Sequence, residues 1–342
     1  MDRNKTAGQA LVTAAEWFAG GQRIPYDPGS ARVLTGDEAA ATPGALRVFE
    51  RVSGTERDAD AGWLTMLPGF PDGSYGWAQV DRILGDDPGP RLYVEPVGQG
   101  DSDKPRDYRY STVERANLVE ALWRHHRVRR TVVVTFDYTS LALLELLRRQ
   151  QERAARGDTA GPVIMAVFMV NGGLFADAHT HPWQGTPLLR SPVGILAMRG
   201  WQRSQRAFDT GWQQARMYSR GYRPSPVELA ELRAAITRMD GAMFAHNAAG
   251  FVGEHHRHEQ RWDLAAIARD LDGTVAFYVG GSEEDPYEHR QIQAARERVP
   301  GAEVVIFPGG HLTTGEHPDL LAAAIRDIAA RHSVATPAIA GN

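Results

Sequence analysis

Three near-continuous apolar runs constrain the fold of this chain most. They span residues 131–136 (TVVVTF), 163–170 (VIMAVFMV) and 274–280 (TVAFYVG). A strand that is apolar on both faces suits the middle of a parallel sheet that helices cover on both sides. Stretches with helical spacing of apolar residues lie between the runs. This alternation predicts an α/β fold with a mostly parallel central sheet flanked by helices.

The same patterns predict the remaining elements of the core. Four further strands are expected at 45–52, 62–67, 91–95 and 303–307. Helices are expected at 112–126, 139–155, 287–298 and 316–331, and the N-terminal part predicts a helix at 8–19 and an edge strand.

One long stretch breaks the alternation of strands and helices. Residues 172–262 are rich in Trp, Met, Arg and His and have a helical pattern. The stretch is much longer than a crossover between two parallel strands requires. We therefore expect one elaborated domain, in which residues 1–171 and 263–342 form the core and residues 172–262 form an inserted helical cap.

Composition excludes several classes of protein. The chain has no cysteine, which rules out disulfide scaffolds, Cys-ligated zinc, Fe–S clusters and thiol nucleophiles, and agrees with a cytoplasmic location. A net charge of -4 lacks the basic excess of a nucleic-acid binder. No apolar run is long enough for a membrane span, and the N-terminus lacks the pattern of a secretory signal. The sequence leaves the oligomeric state open, a homodimer included.

The glycine and histidine patterns indicate no cofactor and no metal. Gly98-x-Gly100 lacks the third glycine and the helix of a dinucleotide-binding loop. His255, His256 and His258 lack the glutamate-flanked spacing of a zinc helix. We therefore expect a small-molecule substrate and chemistry carried by Asp, Glu, His, Ser, Thr or Tyr alone.

Side chains that can act as nucleophile, acid or base follow three of the predicted strands. Asp137 follows 131–136 and opens a helix, Glu284 and Asp285 follow 274–280, and His311 follows 303–307. Ligands bind at the carboxyl ends of parallel strands. A carboxylate on a strand-turn-helix elbow can attack an sp³ carbon and form an ester. A histidine oriented by a second carboxylate can activate the water that hydrolyses this ester.

Motifs around these residues resemble a known family. Residues 68–71 (PGFP) are similar to its His-Gly-Phe-Pro oxyanion motif, 98–105 (GQGDSDKP) to a Gly-x-Gly-Asp-Ser-Asp-Lys-Pro stretch, and 132–147 to its strand, elbow and helix. The family is the α/β-hydrolase superfamily, in its epoxide hydrolase and haloalkane dehalogenase branch. Residues 171–175 (NGGLF), 223–225 and 261–262 resemble its mesoderm-specific-transcript-like subgroup. The resemblance covers about residues 44–330.

The resemblance implies an α/β-hydrolase fold and a role for each site residue. Asp137 would be the nucleophile and His311 the base, with the backbone N–H groups of Phe70 and Tyr138 as the oxyanion hole. The acid that orients His311 would be Asp285, with Glu284 as the alternative.

The resemblance also implies which residues of the cap bind substrate. Tyrosines of the cap protonate the opened epoxide oxygen in this family. Tyr218 and Tyr222 are four residues apart and would share a face of a helix. Trp183 could donate a side-chain N–H, and Asn171 begins the cap. These four residues are the candidate substrate-binding residues.

Departures from the family pattern narrow the function. Thr135, Thr139 and Ser140 stand where the family's elbow has glycines, and Pro68 replaces the usual histidine. Phe70 and Tyr138 have no side-chain N–H that could hold a halide, although epoxide opening needs none. We therefore predict an epoxide-hydrolase-like enzyme that acts on a hydrophobic small molecule through a covalent alkyl-enzyme ester. The alternatives are a haloalkane dehalogenase, a non-hydrolytic cyclase or lyase of natural-product metabolism, and a non-catalytic binding protein.

Overall fold

A computed structural model describes residues 10–55, 62–180, 191–214, 217–239, 251–286 and 289–332. Its strands are β1 (Gln22–Asp27), β2 (Arg32–Val33), β3 (Leu46–Ser53), β4 (Trp63–Leu67), β5 (Arg91–Val94), β6 (Arg130–Phe136), β7 (Val163–Val170), β8 (Ala276–Ser282) and β9 (Glu303–Phe307). They form a sheet in the order β2-β1-β3-β5-β4-β6-β7-β8-β9. Pairing is antiparallel from β2 to β5 and parallel from β5 to β9. The predicted mostly parallel sheet is confirmed.

Helices surround this sheet. They are α1 (Ala14–Ala19), α2 (Gly36–Ala41), α3 (Ala78–Leu84), α4 (Thr112–His125), α5 (Thr139–Ala155), α6 (Pro192–Arg203), α7 (Gln205–Gln214), α8 (Pro226–Ile236), α9 (Phe251–Arg257), α10 (Leu264–Asp270), α11 (His289–Arg298), α12 (Thr313–Glu316) and α13 (Pro318–Arg331). Short 3₁₀ turns cover Gly73–Trp77 and Ala176–Ala178. Among the described helices, none has both the length and the apolar content that crossing a bilayer requires.

Strand β6 is buried on both faces of the sheet, and its three consecutive valines lie in the core. Successive side chains of a strand point to opposite faces of the sheet. Val133 joins the core cluster on one face, together with residues of α4, α5, α10 and α11. Val132 and Val134 join the cluster on the other face, with residues of α3 and α13. Burial on both faces explains why β6 has no polar alternation, and it fixes the strand whose end carries Asp137.

The N-terminal part differs from its prediction. The described part of the first helix begins at Ala14, because Thr13 and Glu16 form a capping box there. One edge strand was expected, but the antiparallel pair β1 and β2 and the short helix α2 are present. The strands β1 and β2 are only six and two residues long, so their pattern is too short to separate them in the sequence.

The predicted helix at 316–331 is divided into α12 and α13. Pro318 has no backbone N–H and begins α13 at its first turn, a position that proline favours. His317 between the two helices has φ of -137° and ψ of 54°, which is not helical. The break lets the chain turn immediately after the loop that carries His311.

The stretch between β7 and β8 contains α6 to α10 within the described residues. Helix α8 packs against the N-terminal segment. The backbone N–H of Ala14 donates to Glu231 Oε2 over 2.7 Å, and the Tyr75 hydroxyl donates to the Val12 carbonyl over 2.8 Å. The N-terminal helix and the segment after β7 are therefore joined directly. A cap bounded at 172 and 262 remains a prediction.

Candidate active site

Asp137 occupies a sharp turn between β6 and α5. Its φ is +56°, a left-handed conformation that is uncommon for a residue with a side chain. The Asp137 N–H donates to the Val170 carbonyl over 3.0 Å, and Ser140 N–H donates to the Asp137 carbonyl over 3.1 Å. These bonds hold the strained turn, and the turn presents the carboxylate at the carboxyl edge of the sheet.

Hydroxyl groups stand where the family pattern has glycines, and they bond within the elbow. Thr139 Oγ1 donates to the Phe136 carbonyl over 3.0 Å, and the hydroxyls of Thr135 and Ser140 lie 3.2 Å apart. The space for Ser140 is provided by Gly172, since a Cβ there would lie 1.9 Å from Ser140 Oγ. The elbow therefore tolerates the larger residues because a glycine of the neighbouring chain segment makes room for them.

The Asp137 carboxylate has two different surroundings. Its Oδ2 accepts the backbone N–H of Phe70 over 3.0 Å. Its Oδ1 lies 3.6 Å from Nε2 of His311. Asp137 is only 3% exposed. One oxygen is therefore held by a backbone donor, and the other faces the imidazole.

His311 lies between two carboxylates. Its Nδ1 is 2.9 Å from Asp285 Oδ2, and both residues are buried. Burial lowers the pKa of the imidazole, but the carboxylates of Asp285 and Asp137 outweigh this effect and hold that pKa well above its usual value. Asp285 therefore fixes which nitrogen of His311 faces Asp137.

Glu284, the alternative acid, points elsewhere. Its Oε2 accepts the backbone N–H of Arg220 over 3.0 Å, and its side chain is 45% exposed. Of the two acids in this loop, the structure thus brings Asp285 to His311 and places Glu284 at the surface.

Phe70 and Tyr138 flank the carboxylate. Their rings meet edge to face with centroids 6.3 Å apart. The backbone N–H of Phe70 donates to Asp137. Tyr138 is the next residue after Asp137 and caps the N-terminus of α5. Both predicted oxyanion-hole residues therefore adjoin Asp137, at the positive end of a helix dipole.

Asn171 lies beside the histidine loop. Its φ is +46°, and its Nδ2 lies within hydrogen-bond distance of the His311 carbonyl (2.6 Å), Ser282 Oγ (2.9 Å) and Thr313 Oγ1 (3.1 Å). The amide thus links the ends of β7 and β8 to the loop after β9. Its contacts are with the loop that carries the base.

The two tyrosines stack, but not on a helix. Residues 217–225 are irregular, and the rings of Tyr218 and Tyr222 lie 5.1 Å apart at an interplanar angle of 25°. The Tyr222 hydroxyl donates to Glu228 Oε1 over 2.6 Å. Tyr218 lies against the histidine loop, because a Cβ on Gly310 would be 2.4 Å from its carbonyl carbon. Trp183 lies outside the described residues.

A second buried acid adjoins this site, and the sequence reasoning gave it no role. Asp72 is 3% exposed, and burial together with the charge of Asp137 raises its pKa to about 7. Its position directly after Pro71 is the signal that could have drawn attention to it. Glu95 is another buried acid, and burial raises its pKa to about 7 as well. Its carboxylate accepts hydrogen bonds from the backbone N–H and the hydroxyl of Ser74.

Histidines elsewhere form two clusters. Ligand atoms of Glu50, His125 and His126 lie within 4.8 Å of one another, on β3 and at the end of α4. His179 Nε2 and His255 Nδ1 are 2.8 Å apart. Neither cluster belongs to the elements that carry Asp137 and His311.

Comparison with known proteins agrees with this geometry. Residues 66–324 match the family described as the alpha/beta hydrolase family. The chain belongs to this family. The parallel strands β5 to β9 and the strand ends that carry Asp137, Asp285 and His311 lie within the matched range.

Relatives of the chain cover most of its length. It is 29% identical over 312 residues to the protein named "Putative hydrolase LipZ" of Mycobacterium tuberculosis, which covers 90% of this chain and 95% of that protein. It is 30% identical over 216 residues to the mesoderm-specific transcript homolog protein of Homo sapiens, over 60% of this chain and 59% of that protein.

Solved structures of alpha/beta hydrolases share the fold. A thermophilic esterase from Thermogutta terrifontis has a TM-score of 0.66 at 16% identity, over 91% of this chain and 99% of the esterase. The haloalkane dehalogenase DatA from Agrobacterium tumefaciens has a TM-score of 0.62 at 16% identity, over 91% and 97%. These likenesses establish the fold and, with the family match, a hydrolase scaffold.

Proposed function

We propose that this alpha/beta hydrolase opens an epoxide of a hydrophobic small molecule through a covalent ester on Asp137. The observation that supports this most is that the two oxygens of the Asp137 carboxylate have different neighbours. Oδ2 accepts the Phe70 N–H, while Oδ1 faces His311. A carboxylate oxygen that is already held by a backbone donor is ready to become the carbonyl oxygen of an ester.

In the first step Asp137 Oδ1 bonds to an epoxide carbon. The bond from that carbon to the epoxide oxygen breaks, and the oxygen takes up a proton. The ester removes the negative charge of Asp137, one of the two charges that raise the pKa of His311. The pKa of His311 therefore falls when the ester forms, which favours the neutral imidazole that can accept a proton from water.

In the second step His311 takes a proton from water. The hydroxide oxygen attacks the carbonyl carbon of the ester, and negative charge develops on Oδ2 beside the Phe70 N–H. The bond between the carbonyl carbon and the alkyl oxygen then breaks, the alcohol leaves with a proton, and the Asp137 carboxylate is restored. Asp285 supports this step by holding the imidazole that becomes charged.

An aspartate at the elbow favours this chemistry over ester hydrolysis. Attack of a carboxylate on a substrate ester would form an anhydride, whereas attack on an sp³ carbon forms an ester that water can cleave. Phe70 and Tyr138 offer no side-chain N–H to a departing halide, which favours an epoxide over a haloalkane.

Trapping the ester tests the proposal. His311→Gln is incubated with a panel of epoxides and haloalkanes, and the mass of the intact protein and its peptides is measured. We expect the protein to gain the mass of one epoxide on the peptide that contains Asp137. The matched control, His317→Gln, keeps the base and should not accumulate the adduct. An adduct from haloalkanes alone would instead identify a dehalogenase.

A single turnover in ¹⁸O water separates the covalent route from direct attack by water. The covalent route puts the first ¹⁸O atom into the Asp137 carboxylate and leaves the first product unlabelled. Label in the product of that first turnover would contradict the proposal. Full activity of Asp137→Asn, or no turnover of any compound by the wild type, would favour the remaining alternatives of a cyclase or lyase and a binding protein.

A further inference from the structure

Asp72 is a buried carboxyl that the two steps above leave without a function. It is 3% exposed, and its Oδ1 has no hydrogen-bond partner among the described residues. Two glycines make room for the group. A Cβ on Gly69 would lie 3.2 Å from Oδ1, and a Cβ on Gly76 would lie 2.1 Å from Oδ2. The chain therefore encloses this carboxyl closely and leaves one of its oxygens unsatisfied.

The neighbours of Asp72 belong to the candidate active site. Asp137 is the charged group that acts on it most strongly, and His311 acts on it in the opposite sense. Glu95, which lies near Lys104, is a further acid close by. Asp72 also borders an open cleft with a cavity volume of about 70 Å³, whose lining includes Tyr75, Tyr218, Glu228 and Thr314. The carboxyl thus adjoins both this cleft and the Gly69–Phe70 segment, whose Phe70 N–H binds Asp137.

Asp72 and Asp137 are neighbouring carboxyl groups in a buried site, and such a pair does not readily carry two negative charges. An unpaired buried carboxylate is costly, and a neighbouring carboxylate disfavours its charged form further. Asp137 has the backbone donor of Phe70 and the imidazole of His311 to stabilise its charge, whereas Oδ1 of Asp72 accepts no hydrogen bond from the part of the chain that the structure describes. The proton of the pair therefore belongs on Asp72.

We propose that Asp72 supplies the proton that the departing oxygen takes up when Asp137 is alkylated. This inference rests on the proposed function. It assigns the proton of the first step to Asp72, where the family resemblance implies a cap tyrosine, and of these Tyr222 already donates its hydroxyl to Glu228 Oε1. The bond from Asp137 Oδ1 to carbon forms, the carbon–oxygen bond of the epoxide breaks, and that oxygen receives the Asp72 proton. Asp137 becomes a neutral ester and Asp72 becomes a carboxylate, so the buried pair keeps one negative charge throughout.

Hydrolysis of the ester returns the proton. Water and the alkyl ester give the Asp137 carboxylate, the alcohol and one proton, which His311 removes and Asp72 takes back. The regenerated charge of Asp137 then favours protonation of Asp72 again. Asp72 thus releases its proton when the epoxide opens and recovers a proton when the ester is hydrolysed.

Ester formation in the absence of the base isolates this step. The background is His311→Gln, in which the ester accumulates and His311 cannot act as the donor. Into this background we would introduce Asp72→Asn, or Asp177→Asn as a matched control, since Asp177 is half exposed and paired with Arg298. The rate at which styrene oxide adds to each protein is measured by rapid quench and intact mass from pH 5.5 to 8.5.

We expect Asp72→Asn to slow ester formation about 10²- to 10⁴-fold, the usual contribution of a positioned acid, and Asp177→Asn to leave the rate unchanged. The pKa of Asp72 is about 7 with His311 present, and loss of His311, which lowers it, should move it upward. The rate in the parent background should therefore fall tenfold per pH unit above this raised pKa. This fall should be absent after Asp72→Asn. Equal rates with and without Asp72, with ester still formed on Asp137, would overturn the inference and leave the proposed function intact.

Absence of ester in every variant would overturn both the proposed function and the inference about Asp72.

An infrared measurement of the resting protein tests where the proton lies without the need for turnover. At pH 6 both Asp72 and Glu95 should contribute to the carbonyl absorption of protonated carboxylic acids, so Asp72→Asn should lose one component and keep that of Glu95. A wild-type minus Asp72→Asn difference spectrum without a carboxylic acid band would overturn the assignment of the proton to Asp72.

Discussion

The hydroxyl of Ser140 occupies the space in which Gly172 would carry a Cβ, 1.9 Å from that position. The two residues lie on the elbow helix and on the segment after β7, and their fit holds the turn of Asp137 in place. Gly172→Ala should destabilise the protein by about 1–3 kcal/mol, because it overpacks a buried site. Denaturant unfolding measures this change.

A compensating variant tests the origin of that effect. Ser140→Gly in the Gly172→Ala background should recover part of the lost stability. Gly200→Ala is the control, since a Cβ at Gly200 would meet none of the described residues within 4 Å. Equal unfolding midpoints for Gly172→Ala and Gly200→Ala would show that the fit between Ser140 and Gly172 is not tight.

Asp285 and Glu284 should differ sharply in their effect on turnover. Asp285→Asn removes the charge that orients and stabilises the His311 imidazolium, and we expect kcat to fall about 10³- to 10⁴-fold. Glu284→Gln weakens only surface contacts with the backbone and the guanidinium of Arg220 and should change kcat less than about twofold. Steady-state kinetics with the epoxide identified by trapping measures both. Similar losses in the two variants would contradict the assignment of Asp285.

Asp72 should make stability depend on pH independently of any substrate. Its folded pKa is about 7 and its ordinary value is 3.8, so the folded state holds the proton more tightly. The associated stability is fully present below about pH 4 and is lost as the pH rises through 7. Asp72→Asn should therefore be more stable than the wild type above pH 7, by up to about 4 kcal/mol at about 1.4 kcal/mol per pKa unit.

Thermal unfolding at pH 5 and pH 8 measures this difference. Asp177→Asn, a change at a half-exposed ion pair, is the control. If Asp72→Asn shifted the melting temperature equally at both pH values, Asp72 would not take up a proton on folding.

Glu145 should protect the protein against acid. It is fully buried, and its carboxylate accepts hydrogen bonds from Arg148, Arg149, Arg261 and Trp262. Burial raises its pKa, but these hydrogen bonds outweigh burial and hold the pKa far below its usual value. The stability it provides is present above pH 4.5 and is lost as the pH falls.

Removal of this charge takes a buried carboxylate partner from Arg148, Arg149 and Arg261. Glu145→Gln should cost about 3–5 kcal/mol at pH 7 in denaturant unfolding, and this cost should shrink below pH 4. Glu152→Gln, on the exposed side of the same helix, should change the free energy of unfolding by less than about 0.5 kcal/mol. A cost for Glu145→Gln that is the same at pH 7 and pH 3 would contradict this account.

The sequence predicted the core well because its central strands are apolar on both faces. Residues 131–136 and 163–170 correspond to β6 and β7 within one residue. The order Asp137, Asp285 and His311 could be recognised because parallel strands end at one edge of the sheet. The edge strands and the break at Pro318 depend on short segments and on single backbone conformations, which hydrophobic periodicity does not encode.

Contacts between distant segments could not be predicted from spacing. Ser140 and Gly172, or Asn171 and Thr313, meet only when the sheet has formed. The burial of Asp72 and the exposure of Glu284 depend on the same tertiary packing. Tyr218 and Tyr222 do stack, as a helix would have allowed, but an irregular segment brings their rings together.

Helix α8 and the N-terminal segment are bound to each other through Glu231 and Ala14. Exchange of the segment after β7 would break this contact unless the N-terminal segment changed with it. A chimera that takes this segment from a relative should therefore take the matching residues 10–19 as well, although about 150 positions of sequence separate the two pieces. To the extent that this segment sets substrate preference, a change of that preference would then involve the first helix of the chain.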